Sequence, residues 1–219
     1  MEKNSTTKIY FPNTIQQTAS STTASVSYVV GNNSRYSKLS LGVDLSPRVH
    51  IESSNQLSAT KACVDSTIER VAQWFLSLTS MSNKKLQKLC YYAYCWFIVF
   101  NNDLESINKD DSANIRVLCS DSFQAWIHGP VCLRLYHRYK EYGWRDIPQV
   151  ISKPEFSQEL ESLLKQVWDA YGAFTADELE MISHREMPWK NARKGYQNGD
   201  ACSNEISNYD ILQYYSKLE

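Results

Sequence analysis

Histidine, cysteine and carboxylate side chains are where this chain could do chemistry, so their spacing sets the first question. The stretch "HGPVCLRLYH" places His128, Cys132 and His137 within one short segment, and "SHREMPW" sets His184 and Glu186 beside Pro188 and Trp189. A zinc site needs its ligands at characteristic short spacings, and none of those spacings occurs here. Pro130 separates His128 from any helix that follows, and Cys132 and His137, five apart, share a helical face poorly. A Cys–His nucleophilic pair requires only that its members meet in space, so the sequence leaves it open. No nucleophile elbow, phosphate loop or paired-carboxylate signature accompanies these residues. The enzymatic reading is therefore a hydrolase or metal-dependent enzyme using His128 and His184. The structural reading has His184 and Glu186 bonding backbone groups that Pro188 leaves without partners. The second is preferred: no catalytic residue, metal or cofactor is expected.

The six cysteines (63, 90, 95, 119, 132 and 202) contain no C-x-x-C pair. Cys90 and Cys95 sit inside an apolar run, where cysteine acts as a small buried hydrophobe. Reduced, structural thiols are expected rather than disulfides or zinc ligands.

Two regions of different texture must position these residues. Residues 1–62 form a leader; its first 60 residues are about one-third Ser and Thr, a bias against a large core. It reads as a disordered segment or as a small β-rich accessory module built on "SVSYVVGNN" and "RVHIES". Residues 63–219 carry dense helical signals. Ser66 and Glu69 have capping-box spacing ahead of Ile68, Val71, Ala72 and Phe75. Ser82 is placed to cap "NKKLQKLCYYAYCWFIVF", whose stripe runs through Leu86, Leu89, Cys90, Ala93, Phe97 and Phe100. Lys84, Gln87 and Lys88 lie away from that stripe. Past Cys90 the opposite face is apolar too, through Tyr91, Cys95 and Ile98, which marks a helix buried on all sides.

A polar loop from Asn101 to Asn114 follows, then a short strand at Phe123–Ile127 and a turn at Gly129. Pro130 is expected in the first turn of a helix that runs to Tyr142 and stops at Gly143. A helix over Glu155–Tyr171 closes at Gly172, and Thr175 with Glu178 makes a second capping box. The helical pattern breaks at Pro188, and a last helix starts at Ser207. The fold class is mainly α: a compact multi-helix domain with a short β element, preceded by the leader.

Charge narrows the function. Lys and Arg (23) nearly balance Asp and Glu (24). The first 60 residues hold five basic and three acidic side chains, which leaves 18 against 21 from residue 61 onward. An acidic domain without a clear helix-turn-helix argues against nucleic acid as its partner. The longest apolar stretch, Leu89–Phe100, falls short of the ~20 residues that span a bilayer. "MEKNSTTKIY" carries no apolar signal-peptide core. A cytoplasmic protein without membrane insertion is expected.

Four segments, in order, resemble a known family: "KKLQKLCYYAYCWF", "FQAWIHGPVCLRLYHRYKEYG", "LEMISHREMPWKNARKG" and "ISNYDILQYY". They are similar to the motifs of the Panacea domain, the SocA-like antitoxin family, with Cys90 in place of a leucine and Ser183 in place of a threonine. The loop from Asn101 to Asp121 looks longer than the family's, and residues 1–60 lie outside the resemblance. The motif positions are Lys85, Leu86, Gln87, Lys88, Tyr92, Trp126, Gly129, Pro130, His184, Pro188, Trp189 and Arg193, expected to be structural. The resemblance implies a helical antitoxin of a type II toxin-antitoxin system, found also in phages and mobile elements. It would neutralise a cognate protein toxin by direct binding, in some members a small nucleotide synthetase that inhibits translation. The aromatic and basic cluster Arg134, Tyr136, Arg138, Tyr139, Tyr142 and Trp144 is the expected toxin-binding surface, since Tyr, Trp and Arg dominate binding hot spots.

Overall fold

The computed structural model describes residues 68–107, 109–197 and 199–218. The leader, Ser66 and the expected boundary at residues 62 and 63 lie outside the described residues. Within them the fold is mainly helical, with two small two-stranded sheets.

The organising element is α2 (Asn83–Asn101). Ser82 caps it, its hydroxyl accepting from the Lys85 N–H at 3.3 Å, which satisfies one of the donors a helix start leaves open. Every residue from Leu86 to Trp96 is buried. Five helices pack around α2: α1 (Ile68–Leu78), α3 (Leu133–Tyr139), α4 (Gln158–Tyr171), α5 (Ala176–Arg185) and α7 (Asn208–Tyr215). The last, α6 (Met187–Ala192), packs on α5 and α7. Among the described residues no helix is long and apolar enough to cross a membrane; the apolar girdle of α2 is covered by protein. At its end the amides of Asn101 and Asn102 donate to the carbonyls of Phe97 and Ile98. Asn102 also exchanges two bonds with the backbone of Arg116, closing the long loop back onto the helix.

The local signals explain most of the other boundaries. In α1 the predicted face Ile68, Val71, Ala72 and Phe75 is buried, joined by Trp74 and Leu76. Thr175 and Glu178 form the reciprocal capping box of α5, and Ser207 caps α7. Helix α4 begins after Ser157, later than the expected Glu155, because Ser157 accepts from the Leu160 N–H and so sets the first turn. The pattern breaks at Glu186, which is the N-cap of α6, while Pro188 occupies that helix's first turn.

One expectation is corrected. Pro130 is not in the first turn of a helix. It lies in β3 (Gly129–Val131), which pairs antiparallel with β2 (Gln124–Trp126) in the register Ala125 to Pro130 and Trp126 to Gly129. Ile127 and His128 are the turn, Gly129 takes φ +93°, and α3 starts only at Leu133. The other side of β2 meets residues 204–206, with the Ala125 N–H donating to Asn204 and the Ile206 N–H to Phe123. Pro130 thus falls on an edge strand, where a missing N–H breaks no ladder. The second sheet pairs β1 (Met81–Ser82) with β4 (Asp146–Ile147). Cys90, Cys95 and Cys132 are buried, and burial raises their thiol pKa.

Candidate functional site

Four of the motif residues, Gln87, Lys88, Trp189 and Arg193, hold the backbone of the β2–β3 hairpin and the residue after it from two sides. Gln87 and Lys88 lie off the apolar stripe of α2 yet are only 3% and 1% exposed. A buried polar group destabilises unless it is hydrogen-bonded, and each of these is. The Gln87 amide accepts from the Cys132 N–H at 2.9 Å and donates to the Cys132 carbonyl at 3.3 Å. Lys88 Nζ donates to the Pro130 carbonyl at 3.1 Å. From α6, Trp189 Nε1 donates to the Trp126 carbonyl at 3.0 Å, and Arg193, the C-cap of that helix, donates to that of Ala125 at 2.9 Å. Arg193 also reaches the carbonyls of Gln197 and Asp200. Lys85 ties α2 to the end of α4 through the Gly172 carbonyl, and Leu86 is core.

Gly129 is required twice over. Its φ is positive, and a Cβ there would sit 2.6 Å from Lys88 Cε and 2.8 Å from Ser183 Oγ. The lysine stem therefore packs directly under the turn. Burial pushes the Lys88 ammonium down to about 7, partly offset by the Glu180 carboxylate.

Behind the clamp, Glu186 is buried among tyrosines. It accepts from Tyr215 at 2.7 Å and Tyr92 at 3.3 Å, and Tyr92 stacks on Tyr171 with ring centroids 3.9 Å apart. Burial pushes the Glu186 carboxyl up to about 8 despite those two bonds. The expectation that His184 and Glu186 serve backbone groups near Pro188 is corrected. Glu186 meets hydroxyls, and His184 stacks on Trp189 at 4.1 Å.

Beside the hairpin opens a cleft of about 330 Å³, lined by Ile127, His128, Glu180, His184, Trp189 and Arg193 along with Gly199. Both histidines of the enzymatic reading face it. His128 Nδ1 lies 3.1 Å from Glu180 Oε1, and Lys84 pairs with Glu180 and with Asp177. Burial alone would raise the Glu180 carboxyl, but the bonds from Lys84 and His128 bring it below its ordinary value. Among the described residues no hydroxyl or thiol lines the cleft. Among the described residues no three His, Cys, Asp or Glu side chains are grouped to hold a metal.

The aromatic and basic cluster after the hairpin is divided by the structure. Arg134 is tied to Asp121 at 2.7 Å, and Tyr136 packs edge-on against Trp126. Arg138 bonds the Tyr139 hydroxyl at 3.4 Å. Tyr139 is 7% exposed, so it belongs to the core, because this face of α3 packs against α1 and α2. Tyr142 is half-buried, and Trp144 stands 90% exposed. Arg145 pins the turn beneath Trp144 by donating to the carbonyls of Glu141 and Tyr142. Sequence reasoning missed Arg145, and the exposed Ile151 farther on; the Gly143 stop was the one available signal for an ordered turn there.

The described chain is thus a helical domain whose signature residues clamp a hairpin. Residues 113–190 match the family model of the antitoxin SocA-like, Panacea domain, the family the four motifs resemble. That match spans the hairpin, α3, α4 and α5, and part of α6; α2 and α7 lie outside it. No curated protein and no solved structure matches the chain.

Proposed function

We propose that this protein is the antitoxin of a type II toxin-antitoxin pair and neutralises a cognate protein toxin by direct binding, without catalysis. The family match over residues 113–190 carries this reading. The partner is a protein toxin in the cytoplasm, of a kind that includes small nucleotide synthetase-like translation inhibitors. The near balance of 23 basic and 24 acidic residues gives nucleic acid no broad basic surface to bind.

The surface proposed for the toxin is the turn after α3, with Trp144 as anchor and Arg138 and Tyr142 beside it; Tyr139 is left out because it is core. Co-expression with the product of the adjacent open reading frame tests this. Arg138→Ala with Trp144→Ala is expected to weaken toxin binding by about 30-fold or more, corresponding to ~2 kcal/mol at a hot spot, with circular dichroism unchanged. A folded double variant that neutralises fully places the interface elsewhere.

One observation favours a second reading. His128, oriented by Glu180, shares a cleft with His184, an arrangement that could activate water for hydrolysis. His128→Ala separates the two: under the antitoxin reading neutralisation persists, and under the hydrolase reading it is lost.

A further inference from the structure

The surface where α5 runs into α6 is set apart from the rest of the domain by its charge. Residues 185–196 hold Arg185, Lys190, Arg193 and Lys194 against a single carboxylate, Glu186. Glu186 is buried among tyrosines, and burial pushes its carboxyl up to about 8, so it cancels little of that charge at neutral pH. Arg193 is committed to three backbone carbonyls, which leaves Arg185, Lys190 and Lys194 as the outward cations. All three are exposed, and among the described residues none of them forms an ion pair. Asp200 and Asp210 border the surface, but they accept from the Gln197 N–H and the Asn191 amide. From residue 61 onward the chain has 18 basic side chains against 21 acidic ones, so the sign of the charge is reversed here locally.

The same surface exposes apolar area. Met181 and Met187 are 54% and 48% exposed, and Tyr196 is exposed as well. Met181 and Arg185 stand four apart on α5, and Met187 and Lys190 three apart on α6, so each methionine shares a helix face with a cation. Lys190 Nζ donates to the Arg185 carbonyl at 2.8 Å, which joins the two faces. Tyr196 lies beyond them, its ring under the Arg193 guanidinium. A solvated charged face has no need of exposed methionines, and methionine is the apolar side chain that best adapts its shape to a partner. We propose that this α5–α6 surface docks an acidic protein segment that carries apolar side chains. Its carboxylates meet Arg185, Lys190 and Lys194, and its apolar side chains cover Met181 and Met187. A long polyanion such as nucleic acid is disfavoured, because the acidic remainder of the domain repels it beyond these few cations. Its sugar-phosphate backbone also offers nothing to cover the methionines. A short acidic segment meets the local charge alone. The site is defined by its chemistry and does not rest on the antitoxin reading.

Nuclear magnetic resonance of methyl-labelled methionine tests this in the full chain. Of its four methionines, Met181 and Met187 report on the surface, and the buried Met81 is the internal control. The probe is a soluble peptide built of Glu and Leu. It is compared with the same peptide carrying Gln for Glu, with a DNA duplex and with vesicles containing phosphatidylglycerol. The Met181 and Met187 methyls are expected to shift saturably with the Glu peptide while Met81 does not. The Gln peptide is expected to bind about tenfold more weakly or worse. Lys190→Glu with Lys194→Glu changes two exposed side chains and should weaken the Glu peptide about tenfold or more. Lys165→Glu, on the exposed face of α4, should leave it within about twofold. Should the double variant fail to fold, Arg185→Gln takes its place, with a loss of about threefold expected. Silent Met181 and Met187 resonances overturn the proposal, as do Glu and Gln peptides that bind alike or charge variants that bind as wild type. A DNA duplex or vesicle that shifts the two methyls at lower concentration than the Glu peptide also overturns it, and makes the surface one for phosphates.

Discussion

The β2–β3 hairpin and the turn around Trp144 follow each other within a few dozen residues and are built on opposite principles. In the hairpin, side chains from two helices each close on a named carbonyl, and Gly129 leaves no room for a Cβ. In the turn, Arg145 bonds its own neighbours, and the largest side chain points into solvent. A densely satisfied backbone holds one conformation and tolerates little change. A short self-contained turn with an exposed aromatic carries little of the folding energy and is open to a partner. The contrast suggests where stability and recognition are separately lodged.

The sharpest way to break the contrast is at Gly129. Gly129→Ala combines a left-handed backbone, at roughly 1–2 kcal/mol, with overpacking against Lys88 and Ser183, at about 1–3 kcal/mol. Denaturant melts should show a loss near the sum, a large fraction of a total of ~5–15 kcal/mol. A loss like that of a surface substitution would mean the hairpin is not clamped. Gln87→Ala comes next. It leaves the Cys132 N–H buried without this partner, at about 1–3 kcal/mol, while the Cys132 carbonyl keeps its bond from the Tyr136 N–H. The same melts report the loss.

The pH dependence sharpens the picture behind the hairpin. Glu186 has its pKa raised from 4.5 to about 8 by burial, so between those values the folded state holds a proton that the unfolded chain releases. Stability from this group is full below pH 4.5 and declines as pH rises toward 8. Lys88, lowered from 10.5 to about 7, works the other way: the unfolded chain binds the extra proton, and stability rises from pH 7 toward 10.5. The melting temperature of wild type relative to Glu186→Gln is therefore expected to fall from pH 5 to 8. A pH-independent difference would place Glu186 in a wetter site than this one.

The smallest expected effect is at the other pole. Trp144→Ala should change stability by less than about 0.5 kcal/mol, while toxin affinity drops. A large melting shift without loss of binding would reverse the roles of the two regions.

Helix existence was legible because caps and periodicity are local. Ser82, Thr175 with Glu178, and Ser207 each act on a backbone group three residues away. The clamp was not legible in physical terms, since Gln87 and Lys88 find their partners 45 and 42 residues further along. Periodicity placed both off the apolar stripe; it had no way to show that the hairpin would cover that side. Pro130 was misplaced for a related reason. Proline suits a helix's first turn and an edge strand equally, and the pairing with Ala125 decides between them. Tyr139 looked like one of a surface group because its neighbours are basic, and only the packing of α3 shows it turned inward. The cleft was half legible: His128 and His184 were singled out, but Glu180, which orients one of them, carries no sequence signal of its own.

The buried thiols give the molecule a built-in clock. Cys90 and Cys95 on α2 and Cys132 beside the hairpin cannot meet an alkylating reagent while the helices stay packed, and burial keeps their protons on. Modification at Cys90 therefore counts openings of the central helix, and modification at Cys132 counts openings of the clamp. Comparing the two rates, peptide by peptide, tells whether the hairpin lets go before the core does or only with it.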